Sequence, residues 1–186
     1  MNDLLTDLID DLKKSNGGHI LYNYDEVDCY LQNAISFILA GVRDKGQVLF
    51  VENDRNLLYI QENVAKLLSE EELARVHFAN NFDFYYSNGD FNPETVFNYF
   101  TKNIQPHLES GAPVYTWGLV EWGNVKEYIL KVEEYEKKLD KAINDNGIIS
   151  LCAYDNNSTP DELKEKLMRC HGVLVTDREY KFLQNY

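Results

Sequence analysis

The sequence predicts an α/β protein with three layers, α/β/α, around a mostly parallel central sheet. Three observations carry that expectation. Short apolar runs alternate with helical stripes along the whole chain. One run, Val48-Leu49-Phe50-Val51, is apolar at every position, as a strand covered on both faces must be. The stretch from His19 to Asn53 reads strand, long helix, strand, which is the crossover that two parallel strands require.

The elements follow in order. Residues 1–16 predict an acidic amphipathic helix with Leu4, Leu5, Leu8, Ile9 and Leu12 on one face, ended by Gly17-Gly18. That face either packs on its own domain or is offered to a partner or a second copy. Residues 17–186 read as a single domain. His19-Ile20-Leu21-Tyr22 is its first strand. Asp25 is expected to cap a helix whose stripe is Val27, Tyr30, Leu31, Ala34, Ile35, Ile38, Leu39 and Val42. Beyond the second strand, Asn53 or Asp54 caps a helix with Leu57, Ile60, Val64, Leu67 and Leu68 inward. Glu70-Glu71-Glu72 is a solvated face, and Val76-His77-Phe78-Ala79 a third strand. Residues 80–92 crowd Phe82, Phe84, Tyr85, Tyr86 and Phe91 around the turn signal Asn88-Gly89-Asp90, as a folded-down lid or a hairpin would. Asn92-Pro93 opens a helix with Val96, Phe97, Phe100 and Ile104 inward. Pro113 to Trp117 is a fourth strand. Val125, Tyr128, Ile129, Val132, Tyr135, Leu139, Ala142 and Ile143 mark a long helix, with Glu133, Glu134, Glu136, Lys137 and Lys138 outward. Ile148 to Tyr154 is a fifth strand. Thr159-Pro160 caps a helix carrying Leu163 and Leu167, Gly172 to Val175 is a last strand, and the tail from Asp177 is polar with scattered aromatics.

Composition narrows the function. In 186 residues, 44% are hydrophobic and 13% aromatic, enough for a substantial core. No apolar run approaches a membrane span, and no basic-then-apolar leader is visible, so a cytoplasmic location is expected. The cysteines Cys29, Cys152 and Cys170 lack CxxC spacing and read as reduced thiols. A net charge of −13 disfavours direct binding to nucleic-acid phosphates.

The motifs for common chemistry are absent. After the first strand, Asn23-Tyr24-Asp25-Glu26 has no glycine and no lysine, and its acids would repel a triphosphate. There is no GxGxxG, GxSxG or HExxH. Among the histidines, His77 and His107 read as structural or exposed, while His19 and His171 sit at strand beginnings. A metal site built from His19, His171 and Cys152 lacks spacing support, so neither metal nor cofactor is expected. In open α/β sheets ligands sit beyond the carboxyl ends of the strands. Tyr24, Glu52, Trp117, Glu121, Trp122, Tyr154 and Asp155 leave the strands there, a mix of aromatic and acidic groups suited to an apolar or cationic small molecule, with residues 82–91 as cover.

These residues, taken in order, resemble the MEDS domain, the methanogen/methylotroph DcmR sensory domain, over roughly His19 to Tyr186. The opening strand resembles the family's His-Ile-x-x-x-Tyr. Ala40-Gly41-Val42 with Gly46-Gln47 and Val51 resembles its helix end and following strand, and Asp54-Arg55 its Asp-Arg. Asn88 to Glu94 resembles its Asp-Gly-x-Phe-Asp-Pro loop, Tyr135-Glu136 with Leu139 its Tyr-Glu-x-x-Leu, and Leu151-Cys152-Ala153-Tyr154-Asp155 its Leu-Cys-x-Tyr-Asp, with His171 as its late His. The family's Gly-Glu-x-x-Trp differs here, where Gly118 is followed by Leu119 and Glu121 precedes Trp122. The resemblance implies a RecA-like fold without a phosphate loop, and a sensory role toward small, hydrocarbon-like ligands beside DNA-binding or kinase partners.

The expected function is therefore a stand-alone, non-catalytic sensory or regulatory domain. It would bind a small molecule and signal through a protein partner, a regulator or kinase, with a homo-oligomer also open. The alternatives are a RecA-like interaction scaffold without ligand, or a nucleotide-binding enzyme with an unorthodox site.

Overall fold

The computed structural model describes residues 4–121 and 126–184. In chain order the strands are β1 (Gly18–Tyr24), β2 (Gln47–Glu52), β3 (Val76–Asn80), β4 (Val114–Leu119), β5 (Ile149–Asp155), β6 (Val173–Val175) and β7 (Tyr180–Phe182). They form one sheet in the order β3-β2-β4-β5-β1-β6-β7, parallel except for the antiparallel β6–β7 pair. The helices are α1 (Leu4–Lys14), α2 (Val27–Arg43), α3 (Asp54–Val64), α4 (Glu70–Leu73), α5 (Asn81–Tyr85), α6 (Pro93–Glu109), α7 (Lys126–Asn146) and α8 (Asp161–Cys170).

Alternation along the strands divides the core in two. Ile20, Tyr22 and Tyr24 of β1, Phe50, Trp117, Leu151 and Ala153 pack with α1, α2 and α3. Leu21, Leu49, Val51, Cys152 and Tyr154 pack with α5, α6, α7 and α8 on the other face. The expected three-layer α/β architecture is thus the one observed. The leucine face of α1 is spent on the first of these cores, where Leu5, Leu8, Ile9 and Leu12 are buried. Gly17, at φ +98°, turns the chain from α1 into β1, and a Cβ there would lie 2.6 Å from the Ile148 carbonyl oxygen.

Several local expectations change. Residues 80–92 contain α5, capped by Asn80, instead of a hairpin. The N-cap of α2 is Glu26, not Asp25, and neither side chain caps it. Val27 and Leu67 are exposed, because each lies at a helix end where the stripe has left the core. The tail contributes β7, and its Asp177 is buried. Trp122 and Val125 lie outside the described residues.

Candidate functional site

Parallel pairing brings the carboxyl ends of β1, β2, β4 and β5 together, and the helices that leave them decide what fills that edge. Glu52 ends β2 with no exposed surface. Its carboxylate accepts from the Tyr30 hydroxyl of α2, from Trp117 Nε1 (3.4 Å), from Asn56 Nδ2 (3.1 Å) and from the Asn53 amide (3.0 Å). Burial pushes the Glu52 carboxyl up to about 7 against these hydrogen bonds. The Tyr24 ring packs on Tyr30 at 4.3 Å. Glu121 is exposed and accepts from Asn53 Nδ2 (3.2 Å) and Asn81 Nδ2 (2.9 Å), while Asp155 accepts from the Asn157 amide in a turn.

The turn from β1 into α2 is closed by a residue from far along the chain. The Asp177 carboxylate, 8% exposed, accepts from the amides of Asp25 (3.1 Å) and Glu26 (2.8 Å) and from the Tyr22 hydroxyl (3.0 Å). Helix N-termini attract anions because their first amides lack intrahelical partners and the helix dipole adds positive potential. At this turn the anion is the protein's own.

Among the described residues, the expected edge residues divide between the two faces of the sheet. Tyr24, Glu52 and Trp117 are packed together on the α2 face, whereas strand alternation sends Tyr154 through to the α7 face. The aromatic segment packs mainly into the α7-face core and touches the edge where the Tyr86 hydroxyl donates to the Glu121 carbonyl (3.0 Å). Phe84, Tyr85 and Phe91 are buried on the α7 face, while Phe82 is 64% exposed. The Tyr85 hydroxyl lies so close over Gly118 that a Cβ there would be 2.3 Å away. The cavity beside them, bordered by Thr116, Ser150 and Cys152, measures about 10 Å³, the size of one water. A more open cleft of about 330 Å³ lies at the opposite, amino edge, between Lys13, Asp44, Tyr115 and Gly147.

The densest chemistry lies inside, on the α7 face. His19 from β1, Cys152 from β5, Glu136 from α7 and His171 from the α8–β6 connection are all buried, and one donor atom from each lies within 4.8 Å of the others. His19 Nε2 is 3.2 Å from Glu136 Oε2, and His171 Nε2 is 3.5 Å from the same oxygen. Cys152 Sγ is 3.5 Å from His19 Nε2 and 3.4 Å from Glu136 Oε2. The Tyr154 hydroxyl donates to Glu136 Oε1. Both imidazoles are anchored through Nδ1, His19 to the Cys170 carbonyl (2.9 Å) and His171 to the Leu167 carbonyl (2.7 Å), with Asp140 also 3.2 Å from His19 Nδ1.

The charges follow from this geometry. Burial opposes a charge on His19, but the Asp140 and Glu136 carboxylates outweigh it and hold the imidazole up at about 9. Burial, joined by the His19 charge, brings His171 down to about 3. Burial would raise Glu136, yet the charged His19 imidazole and the Tyr154 hydroxyl hold it below the ordinary carboxylate range. With His171 neutral, the positive partner is His19. Burial and the Glu136 charge push the Cys152 thiol well above its usual value.

Glu136, expected on the outer face of its helix, is instead fully buried. It stands four residues after Val132 and three before Leu139, inside the buried stripe. That spacing was the available signal. Asp177 carried none, because its role depends on where the β6–β7 turn lands.

A model of the MEDS family, described as the MEthanogen/methylotroph, DcmR Sensory domain, matches residues 18–172. No curated protein matches. Among solved structures, the chain is similar to the flagellar accessory protein FlaH from Methanocaldococcus jannaschii, at 11% identity and a TM-score of 0.49, over 86% of this chain and 70% of that one.

Proposed function

Because the chain belongs to the MEDS family of sensory domains, we propose that it is a non-catalytic regulatory domain that takes up a small ligand and passes its state to a protein partner. The observation that carries the non-catalytic part is the Asp177 carboxylate on the amides of Asp25 and Glu26. It fills the first β–α turn, where an α/β nucleotide-binding site needs open amides to receive phosphate. Beside it, Glu52, Tyr30 and Trp117 fill the edge with a closed hydrogen-bonded group. The ligand is then taken up in the interior, at the polar cluster of the α7 face. The partner meets the carboxyl edge, where Val27, Leu58 and Phe82 are exposed near the starts of α2, α3 and α5.

Calorimetry with ATP and magnesium tests the non-catalytic reading. No binding heat and no phosphate release are expected, and a micromolar, magnesium-dependent signal would overturn it. Native mass spectrometry of the purified chain reads bound ligand and assembly together. A nucleotide found at unit stoichiometry would count against the same reading.

A further inference from the structure

The interior cluster has the form of a site for a positive ion. Four potential donors converge, namely His19 Nε2, His171 Nε2, Glu136 Oε2 and Cys152 Sγ, and each comes from a different element of the fold. We propose that this cluster binds one divalent transition-metal ion of the zinc type, with His19, Glu136, Cys152 and His171 as its four ligands.

The donor side chains are already oriented as metal ligands are. Imidazole ligands are commonly fixed by donating the other ring nitrogen to a carbonyl or carboxylate, which sets the tautomer and turns the lone pair toward the metal. Here both rings commit Nδ1 to a backbone carbonyl and turn Nε2 inward. Glu136 is held in the same manner, since its second oxygen accepts the Tyr154 hydroxyl. The ligand shell thus has an outer shell already in place: Cys170 O, Leu167 O, Asp140 and the Tyr154 hydroxyl.

The donor separations also suit a tetrahedral ion. Zinc bonds of about 2.0–2.3 Å in a tetrahedron put neighbouring donors roughly 3.3–3.8 Å apart. The separations here are 3.2, 3.4, 3.5 and 3.5 Å, with every pair within 4.8 Å. A small inward movement closes the tetrahedron. The donor set selects the class of metal. Two imidazoles, one carboxylate and one thiol suit zinc and its borderline neighbours, and exclude magnesium and calcium, which want all-oxygen shells. Binding releases two protons to solvent, one from the Cys152 thiol and one from Nε2 of the charged His19, and forms one metal–sulfur bond, with no change in oxidation state. All four protein ligands are used, so the ion leaves no open position of the kind a catalytic zinc keeps.

The role of such an ion as the sensed ligand rests on the sensory reading above, while its binding stands on the geometry alone. The experiment uses the full chain, stripped with a chelator and titrated with cobalt(II). The expected result is one ion per chain, with the intense visible bands of a four-coordinate ion and a near-ultraviolet sulfur-to-cobalt band, both abolished by excess zinc. Cys152→Ser should lose the sulfur band, and Glu136→Gln should weaken binding by about 10-fold or more. A Cys29→Ser/Cys170→Ser double variant leaves Cys152 as the one thiol and should keep the band, which protects the test if Cys152→Ser fails to fold. No stoichiometric cobalt, a sulfur band that survives in Cys152→Ser, or its loss in the double variant would overturn the proposal. A negative cobalt result leaves the nucleotide experiment untouched, and a positive nucleotide result leaves the cobalt spectrum untouched, so the two readings fail separately.

Discussion

Replacing Asp177 by alanine tests the closure of the first β–α turn. The wild-type carboxylate accepts three hydrogen bonds from three groups, the amides of Asp25 and Glu26 and the Tyr22 hydroxyl. It also sits beside the positive end of α2, so its loss combines missing hydrogen bonds to the turn with a missing charge–dipole contact. Losing hydrogen bonds to a charged acceptor costs about 1.5–3 kcal/mol and a partly buried charge at a helix end up to about 2. The Tyr22 hydroxyl still accepts from Asn33 Nδ2, but its own buried proton loses its acceptor, which adds to the loss. The expected destabilisation is therefore about 2–4 kcal/mol. For a chain of this size each kcal/mol moves the melting temperature by about 2–4 °C, so the variant should melt roughly 5–15 °C lower by circular dichroism. The amides freed in the variant are those that the carboxylate had occupied, so inorganic phosphate should recover part of the loss in Asp177→Ala and do little for the wild type. A variant melting within about 2 °C of wild type, or equal stabilisation of both by phosphate, would refute the reasoning.

Three further outcomes follow from the same structure. Glu52, held at about 7 in the fold against an ordinary 4.5, stays protonated where the unfolded chain ionises. Its contribution to stability is thus complete below the unfolded value and lost as pH rises through 7, and Glu52→Gln should gain on wild type by about 3 kcal/mol between pH 4.5 and 8 in denaturant melts; a pH-independent difference would count against it. Gly118→Ala places a Cβ against the Tyr85 hydroxyl and should cost about 1–3 kcal/mol, largely restored by adding Tyr85→Phe; additive losses in the double variant would show that the clash lies elsewhere. Leu8→Ala empties a fully buried position of α1 and should cost about 2–5 kcal/mol without changing mass in solution by light scattering; a changed mass would give that face a role in association.

The fold was legible because its signals are local and repeated. An all-apolar Val48 to Val51, the stripe of α2 and the Pro93 start of α6 each specify one element without reference to any other. The candidate site was not legible in that way, because its residues qualify only through long-range register. Tyr24, Glu52, Trp117 and Tyr154 were read from one shared property, their place at the carboxyl ends of strands. That property does not say which face of the sheet each one takes, and the pairing of β1 with β5 and of β4 with β2 decides it. His19, Cys152 and His171 were visible as residues but lacked the short spacing that marks a cluster in a sequence. They meet because His19↔Ser150 and Leu21↔Cys152 are neighbours across one ladder, while α8 returns His171 beside β1. The fourth member was the recoverable one. An acid at Glu136 between Tyr135 and Leu139 breaks the apolar stripe of α7 at a core position, and an acid buried there needs a charged, hydrogen-bonding or metallic partner. Taken as a contradiction of the stripe instead of as part of the outer face, Glu136 would have predicted an interior polar site on this helix, with the histidines and the cysteine as its available partners.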